Sequence, residues 1–179
     1  MTEPLQGDGF TLRRAGERDL DFIVALTSHE EVEPFMAAVS AREPEEILAE
    51  IRRSESDPQR YGRFVIEVDG QPAGLMSFEV FSERSRIADL RGLMLHPEFR
   101  GRGLADSAAR LFVSHLVFDL DYHRVQLECY GFNQRAIRHA ERAGFRKEGV
   151  KRLAYWRHGN WTDGVLFGVV REDLEAGLP

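Results

Sequence analysis

Leu93-Met94-Leu95-His96-Pro97-Glu98-Phe99-Arg100-Gly101-Arg102-Gly103-Leu104-Ala105 runs from an apolar stretch through a basic, glycine-containing loop into a helical pattern. Residues 87–95 read as a strand that follows the charged break Glu83-Arg84-Ser85-Arg86. From Gly103 the period becomes helical, with Leu104, Ala108, Leu111, Phe112, His115 and Leu116 on one broad face. Gly101 and Gly103 let the backbone turn sharply and approach a ligand with no side chain between. The first amides of a helix lack partners within it and carry partial positive charge, so they can cradle an anion. Arg100 and Arg102 add full charges suited to phosphate oxygens. The stretch predicts a strand, loop and helix that bind a diphosphate. Taken alone, it equally suits a surface turn whose glycines only cap a helix.

Two other nucleotide sites are excluded by the same residues. A P-loop needs Gly-Lys followed by Ser or Thr where Gly103-Leu104-Ala105 stand, and the dinucleotide fingerprint needs three glycines in fixed spacing early in a parallel sheet.

Working outward, residues 10–13 alternate as a short strand, and a helix follows from Glu17 with Leu20, Ile23, Val24 and Thr27 at helical spacing. A second helix spans residues 44–53, with Pro44 at its first position and Ile47, Leu48 and Ile51 as its apolar stripe. Residues 63–68 and 72–81 form a hairpin about Asp69-Gly70. After the central helix come a strand at 124–130 and a helix at 133–143 closed by Gly144. A last hairpin, 150–157 with 161–170, turns at His158-Gly159-Asn160. This order predicts an α/β fold in which helices pack on the faces of one mixed sheet. No repeat, low-complexity tract or linker interrupts it, so residues 1–179 are expected to form one domain.

A chain of 179 residues can bury a core without staples, and its 42% hydrophobic and 30% charged residues are ordinary for a globular protein. Cys129 is the only cysteine, and Met1 to Leu5 are acidic and polar where a signal peptide would be basic and then apolar, so a cytoplasmic location is expected. No apolar run is long enough to cross a bilayer, and no membrane partner is expected. The formal charge of −6 argues against nucleic acid and is compatible with a cationic acceptor such as an amine. The histidines lack metal-ligand spacing, so no metal is expected.

Arg100-x-x-Gly103-x-Ala105 after a strand resembles the coenzyme A signature of the GCN5-related N-acetyltransferases, the GNAT family. Asn133-Gln134-Arg135-Ala136-Ile137 with Ala143-Gly144-Phe145 resembles that family's second segment. Gly159-Asn160-Trp161-Thr162-Asp163 resembles the last hairpin of its branch acting on ribosomal-protein amino termini and spermidine. Three motifs in the family's order carry the resemblance over residues 10–170. It implies a largely antiparallel sheet of six or seven strands with two central strands splayed apart. It also implies acetyl-coenzyme A as cosubstrate and direct transfer to a primary amine, either a small molecule or a protein amino terminus. The diphosphate would sit on amides from Arg100 to Ala105, and the pantetheine arm would pair with Leu93, Met94 and Leu95. Asn133 would bind coenzyme or cap its helix. Acceptor choice would lie in residues 28–42, where Glu30, Glu31 and Glu33 form an acidic cluster with the nearby Glu43, and in residues 155–163. A homodimer is the assembly considered; a coenzyme-binding module without catalysis is the alternative.

An ammonium acceptor cannot attack until it loses a proton, which at pH 7 costs roughly 4.6 kcal/mol for a pKa of about 10.4. Asp89, on the strand entering the loop and at the position where the resemblance implies a catalytic glutamate, is the first base candidate, or else a salt-bridge partner of Arg91; Glu128 is second and Glu79 third. The family's usual proton-donating tyrosine falls at Ala140, leaving Tyr130 or His139 as substitutes. His115 fits the apolar helix face, and Cys129 reads as a small apolar filler rather than a nucleophile.

Overall fold

The structure is a computed structural model that describes residues 3–36 and 43–177. Its elements are β1 (Leu5–Gly7), β2 (Phe10–Arg14), α1 (Leu20–Thr27), α2 (Pro44–Ser56), β3 (Tyr61–Val68), β4 (Gln71–Ser82) and β5 (Ile87–Leu95), followed by α3 (Leu104–Ser114), β6 (Arg124–Tyr130), α4 (Gln134–Arg142), β7 (Arg146–Arg157), β8 (Asn160–Val170) and α5 (Arg171–Glu175). One sheet holds all eight strands in the order β1-β2-β3-β4-β5-β6-β8-β7. Every neighbouring pair is antiparallel except β5 and β6.

The sheet has one strand more than the six or seven expected. Leu5–Gly7 folds back on β2 through Asp8-Gly9, and three residues are too few to show a period. β7 also starts at Arg146 instead of Val150. Arg146-Lys147-Glu148-Gly149 has little β preference of its own, and pairing with β8 extends the strand.

Alternation along the strands feeds two cores. Phe64, Phe78, Phe112, Leu116, Val125 and Phe167 fill one under α3, while Ile23, Leu26, Ile47, Ile51, Val65 and Leu75 fill the other under α1 and α2. Phe64, Val65 and Ile66 are all buried because both faces of β3 are covered, which explains its unbroken apolar run. The helical face expected from Gly103 holds through Phe112 and Leu116, although α3 loosens into a wider π turn at His115–Asp119. There His115 Nδ1 lies 2.7 Å from Asp119 Oδ2 while its ring packs on Phe64 and Phe112. Among the described residues no helix is long and apolar enough to cross a membrane.

Candidate active site

The parallel pair β5 and β6 is joined over only three rungs: Ile87 with Arg124, Ala88 with Val125 and Asp89 with Gln126. Beyond Asp89 the strands part, so residues 90–95 pair only with β4, and residues 127–130 only with β8. A β-bulge accompanies the parting. Leu75 faces Met94 but Ser77 faces Arg91, which places an extra residue in β5, and Gly92 takes up the required left-handed backbone at φ 60°. The outcome is a gap lined on both sides by strand edges whose polar groups remain available to an extended ligand.

Past Leu95 the chain makes a single 3-10 turn, Pro97–Phe99, and enters α3 through Gly101 and Gly103, whose φ values are 78° and 73°. An L side chain is strained at such angles, and a carbon added at either glycine would meet nothing within 4 Å. The amides of residues 101–106 make no hydrogen bond to the described residues, and Gly103 caps α3 without a side chain. Arg102 is exposed and makes no ion pair with the described residues. Arg100 differs from expectation. Its Nη1 donates to Glu31 Oε2 at 2.7 Å, its Nη2 to Glu31 O at 3.4 Å, and its Nε to Leu95 O at 3.3 Å. Leu104 and Ala105 form the first turn of α3 and lie half-buried, with Leu93, against the α3-side core. Asn133 caps α4, its Oδ1 accepting from the Ala136 amide at 3.1 Å.

The three base candidates, Asp89, Glu128 and Glu79, lie on the sheet face opposite α3. Asp89 Oδ1 accepts from Gln126 Nε2 at 2.8 Å and Oδ2 from Arg91 at 3.2 Å, so the Arg91 pairing is present. Glu79 accepts from Arg53 at 2.7 Å and Arg91 at 2.6 Å. Glu128 lies past the last rung. Its Oε1 accepts from Tyr155 Oη and its Oε2 from Lys151 Nζ, both at 2.7 Å. Burial, and then the bond to Glu128, raise the Tyr155 phenol above its ordinary pKa, and the same carboxylate raises Lys151. Gly164, across β8, makes room for the cluster, since a carbon added there would collide with Glu128 Oε1 and lie 2.8 Å from Tyr155 Cε2. Continuing the β5–β6 register as far as the bulge would set Arg91 opposite Glu128; past the extra residue at Gly92 that register no longer runs on to Tyr130. The Tyr130 ring stacks on Phe132 at 5.3 Å, meets Tyr155 edge-on at 5.3 Å and carries Arg157 over its face at 5.5 Å.

Ala140 is 1% exposed, so the family's tyrosine position is part of the core here. His139 does not face the gap; its Nδ1 lies 2.6 Å from Asp106 Oδ1 in a strut between α4 and α3. Burial pushes the Cys129 thiol up to about 12, with Glu128 adding to the effect, which suits an inert filler. Residues 37–42 of the expected acceptor region lie outside the described residues. Gln126 and Lys151 escaped the sequence reading because their roles depend on cross-strand register, and Tyr155 was placed only within the expected acceptor hairpin. Gly92 and Gly164, glycines inside strand patterns, gave local signals.

Residues 10–146 match the family described as Acetyltransferase (GNAT) domain. The chain belongs to the GNAT acetyltransferase family. Among GNAT relatives, the SPbeta prophage-derived uncharacterized N-acetyltransferase YokL of Bacillus subtilis (strain 168) is 34% identical over 83 residues, 46% of this chain and 47% of that protein. That match therefore spans about half of the relative's length. The spermidine N(1)-acetyltransferase of Escherichia coli (strain K12) is 26% identical over 171 residues, 92% of this chain and 88% of that one. Of solved structures, the ribosomal L7/L12 alpha-N-protein acetyltransferase RimL in complex with coenzyme A superimposes with a TM-score of 0.82 at 19% identity, covering 94% of this chain and 98% of that chain. This last likeness is one of fold.

Proposed function

We propose that this GNAT enzyme moves the acetyl group of acetyl-coenzyme A directly to a primary amine held in the gap between β5 and β6. The observation that carries the reading is the parting of those strands after Asp89 and Gln126, next to the amides of residues 101–106, which make no hydrogen bond to the described residues. The residues present fit the cosubstrate. Open glycines and amides at 101–106 that make no hydrogen bond to the described residues, with Arg102 beside them, suit a diphosphate, and the stretch of β5 that has left β6, at Leu93, Met94 and Leu95, suits an amide-bearing arm. When bound, acetyl-coenzyme A supplies the activated thioester.

The chain's own groups then have three tasks. Amides near the Gly92 bulge can donate to the carbonyl oxygen as it gains charge. A carboxylate must take the ammonium proton. Glu128 flanks the open part of the gap, whereas Asp89 closes its floor, so Glu128 receives the proton and Asp89 orients Gln126 and Arg91. With Ala140 in the core, Tyr130 is the phenol placed to return a proton to the departing sulfur, and solvent is the substitute donor. The acceptor is a protein amino terminus, a polyamine or another small amine.

Thiol release from acetyl-coenzyme A, measured against polyamines, aminoglycosides and peptides with varied first residues, tests the proposal. Release above the amine-free rate with at least one acceptor is expected. Coenzyme binding without release across the panel would instead make this fold a binding module.

A further inference from the structure

The segment from His29 to Met36 touches every loop around the open end of the gap. His29 meets the His96 ring edge-on at 5.6 Å, and Glu31 holds Arg100; both partners follow β5. Phe35 packs on Phe132 at 6.1 Å with Arg135 over its ring at 5.3 Å, and both of these follow β6. Pro34 O accepts from Arg157 at 3.4 Å and lies 3.0 Å from His158 Nε2, in the β7–β8 turn. Because β5 and β6 diverge toward these loops, a segment anchored to both spans the opening.

Arg100 is the hub of the β5 side. Its guanidinium grips the last carbonyl of β5, the Glu31 carboxylate and the Glu31 carbonyl at once, while its own main chain leads into the unpaired amides. An exposed ion pair alone holds a chain weakly. Here Arg100 is only 21% exposed and has three acceptors, and Phe35 and Pro34 anchor the far end.

We propose that Arg100 and Glu31 are positioning residues for the acceptor: they tie the segment from His29 to Met36 across the gap, so that coenzyme on the neighbouring amides tightens the acceptor wall. The inference rests on the coenzyme site proposed above. Filling the β5 edge and the 101–106 amides fixes the backbone on both sides of Arg100, which favours the tied arrangement over the untied one. By linkage, the segment and the coenzyme must strengthen each other by the same factor. The segment's own hydrogen bonds are local turns, Val32 and Glu33 amides to His29 O, Phe35 to Val32 O and Met36 to Glu33 O, so amide exchange there reports whether it is tied.

The test is hydrogen exchange by mass spectrometry with and without coenzyme A, preceded by calorimetry of the same samples. In the wild type, coenzyme A should slow exchange at residues 93–106 and, by at least about fivefold, at residues 29–36. Glu31→Gln should retain protection at 93–106, lose it at 29–36 and weaken coenzyme A by no more than that factor; Glu31→Asp should restore the response. Unchanged exchange at 29–36 in a wild type that binds coenzyme A, or full protection in Glu31→Gln, would overturn the tie. Calorimetry showing no coenzyme binding to the wild type would instead overturn the site itself, and the tie with it.

Discussion

Asp89 and Gln126 are the last residues to face each other across β5 and β6, and the Gln126 amide donates to the Asp89 carboxylate at 2.8 Å. This contact closes the floor of the gap. Everything assigned to chemistry lies beyond it, where Glu128 and Tyr130 stand on the part of β6 that pairs only with β8. The two carboxylates should therefore differ in kind. Glu128→Gln should lower kcat by about 100-fold or more, whereas Asp89→Asn should lower kcat less. Steady-state rates of the two variants decide it, and the reverse pattern would return the proton to Asp89.

Gly164 makes room for the Glu128–Tyr155 pair, so Gly164→Ala should act as a lesion of that cluster. Overpacking at a close approach costs about 1–3 kcal/mol, and kcat should fall alongside stability. Denaturant unfolding and turnover of one preparation measure both. Tyr155→Phe should also lower kcat, because it leaves Glu128 with Lys151 alone.

Much of this arrangement was legible in the residues themselves. The bounds of β5 and β6 agree with the apolar patterning, and the loop from His96 to Gly103 has the backbone its glycines suggested. What was not legible depends on partners distant in sequence. The contact of Arg100 with Glu31 was one of these, because nothing near Arg100 discloses a residue 69 positions away. Tyr155 reaches Glu128 only because β8 lies between their strands. β1 was too short to show alternation, and the first residues of β7 carry charge where strand formers were sought.

Asp106 joins α3 to α4 by accepting from Arg142 Nε at 2.7 Å and pairing with His139. Burial works to raise its pKa, but Arg142 and His139 together hold it below the ordinary carboxylate value. A depressed folded pKa means that the stabilisation is present above the ordinary carboxylate range and is lost as pH falls through the folded value. Asp106→Asn should thus cost about 1–3 kcal/mol at pH 7, and the difference from wild type should shrink on acidification toward pH 3. Urea midpoints at the two pH values check the sign.

Cys129 should behave as an unreactive thiol. With its pKa pushed up to about 12, it should resist iodoacetamide at pH 8 in the folded protein and react once the chain is unfolded. Intact-mass spectrometry of native and urea-treated samples separates the two cases.

The most direct measurement is calorimetric titration of coenzyme A into the wild type and Gly103→Val. Gly103 holds a left-handed φ of 73° at the start of α3, where valine is strained and would displace the unpaired amides. One site per chain in the wild type, weakened at least about 10-fold in the variant, is the predicted result. Absence of binding to the wild type, or equal affinity in the two proteins, would contradict it.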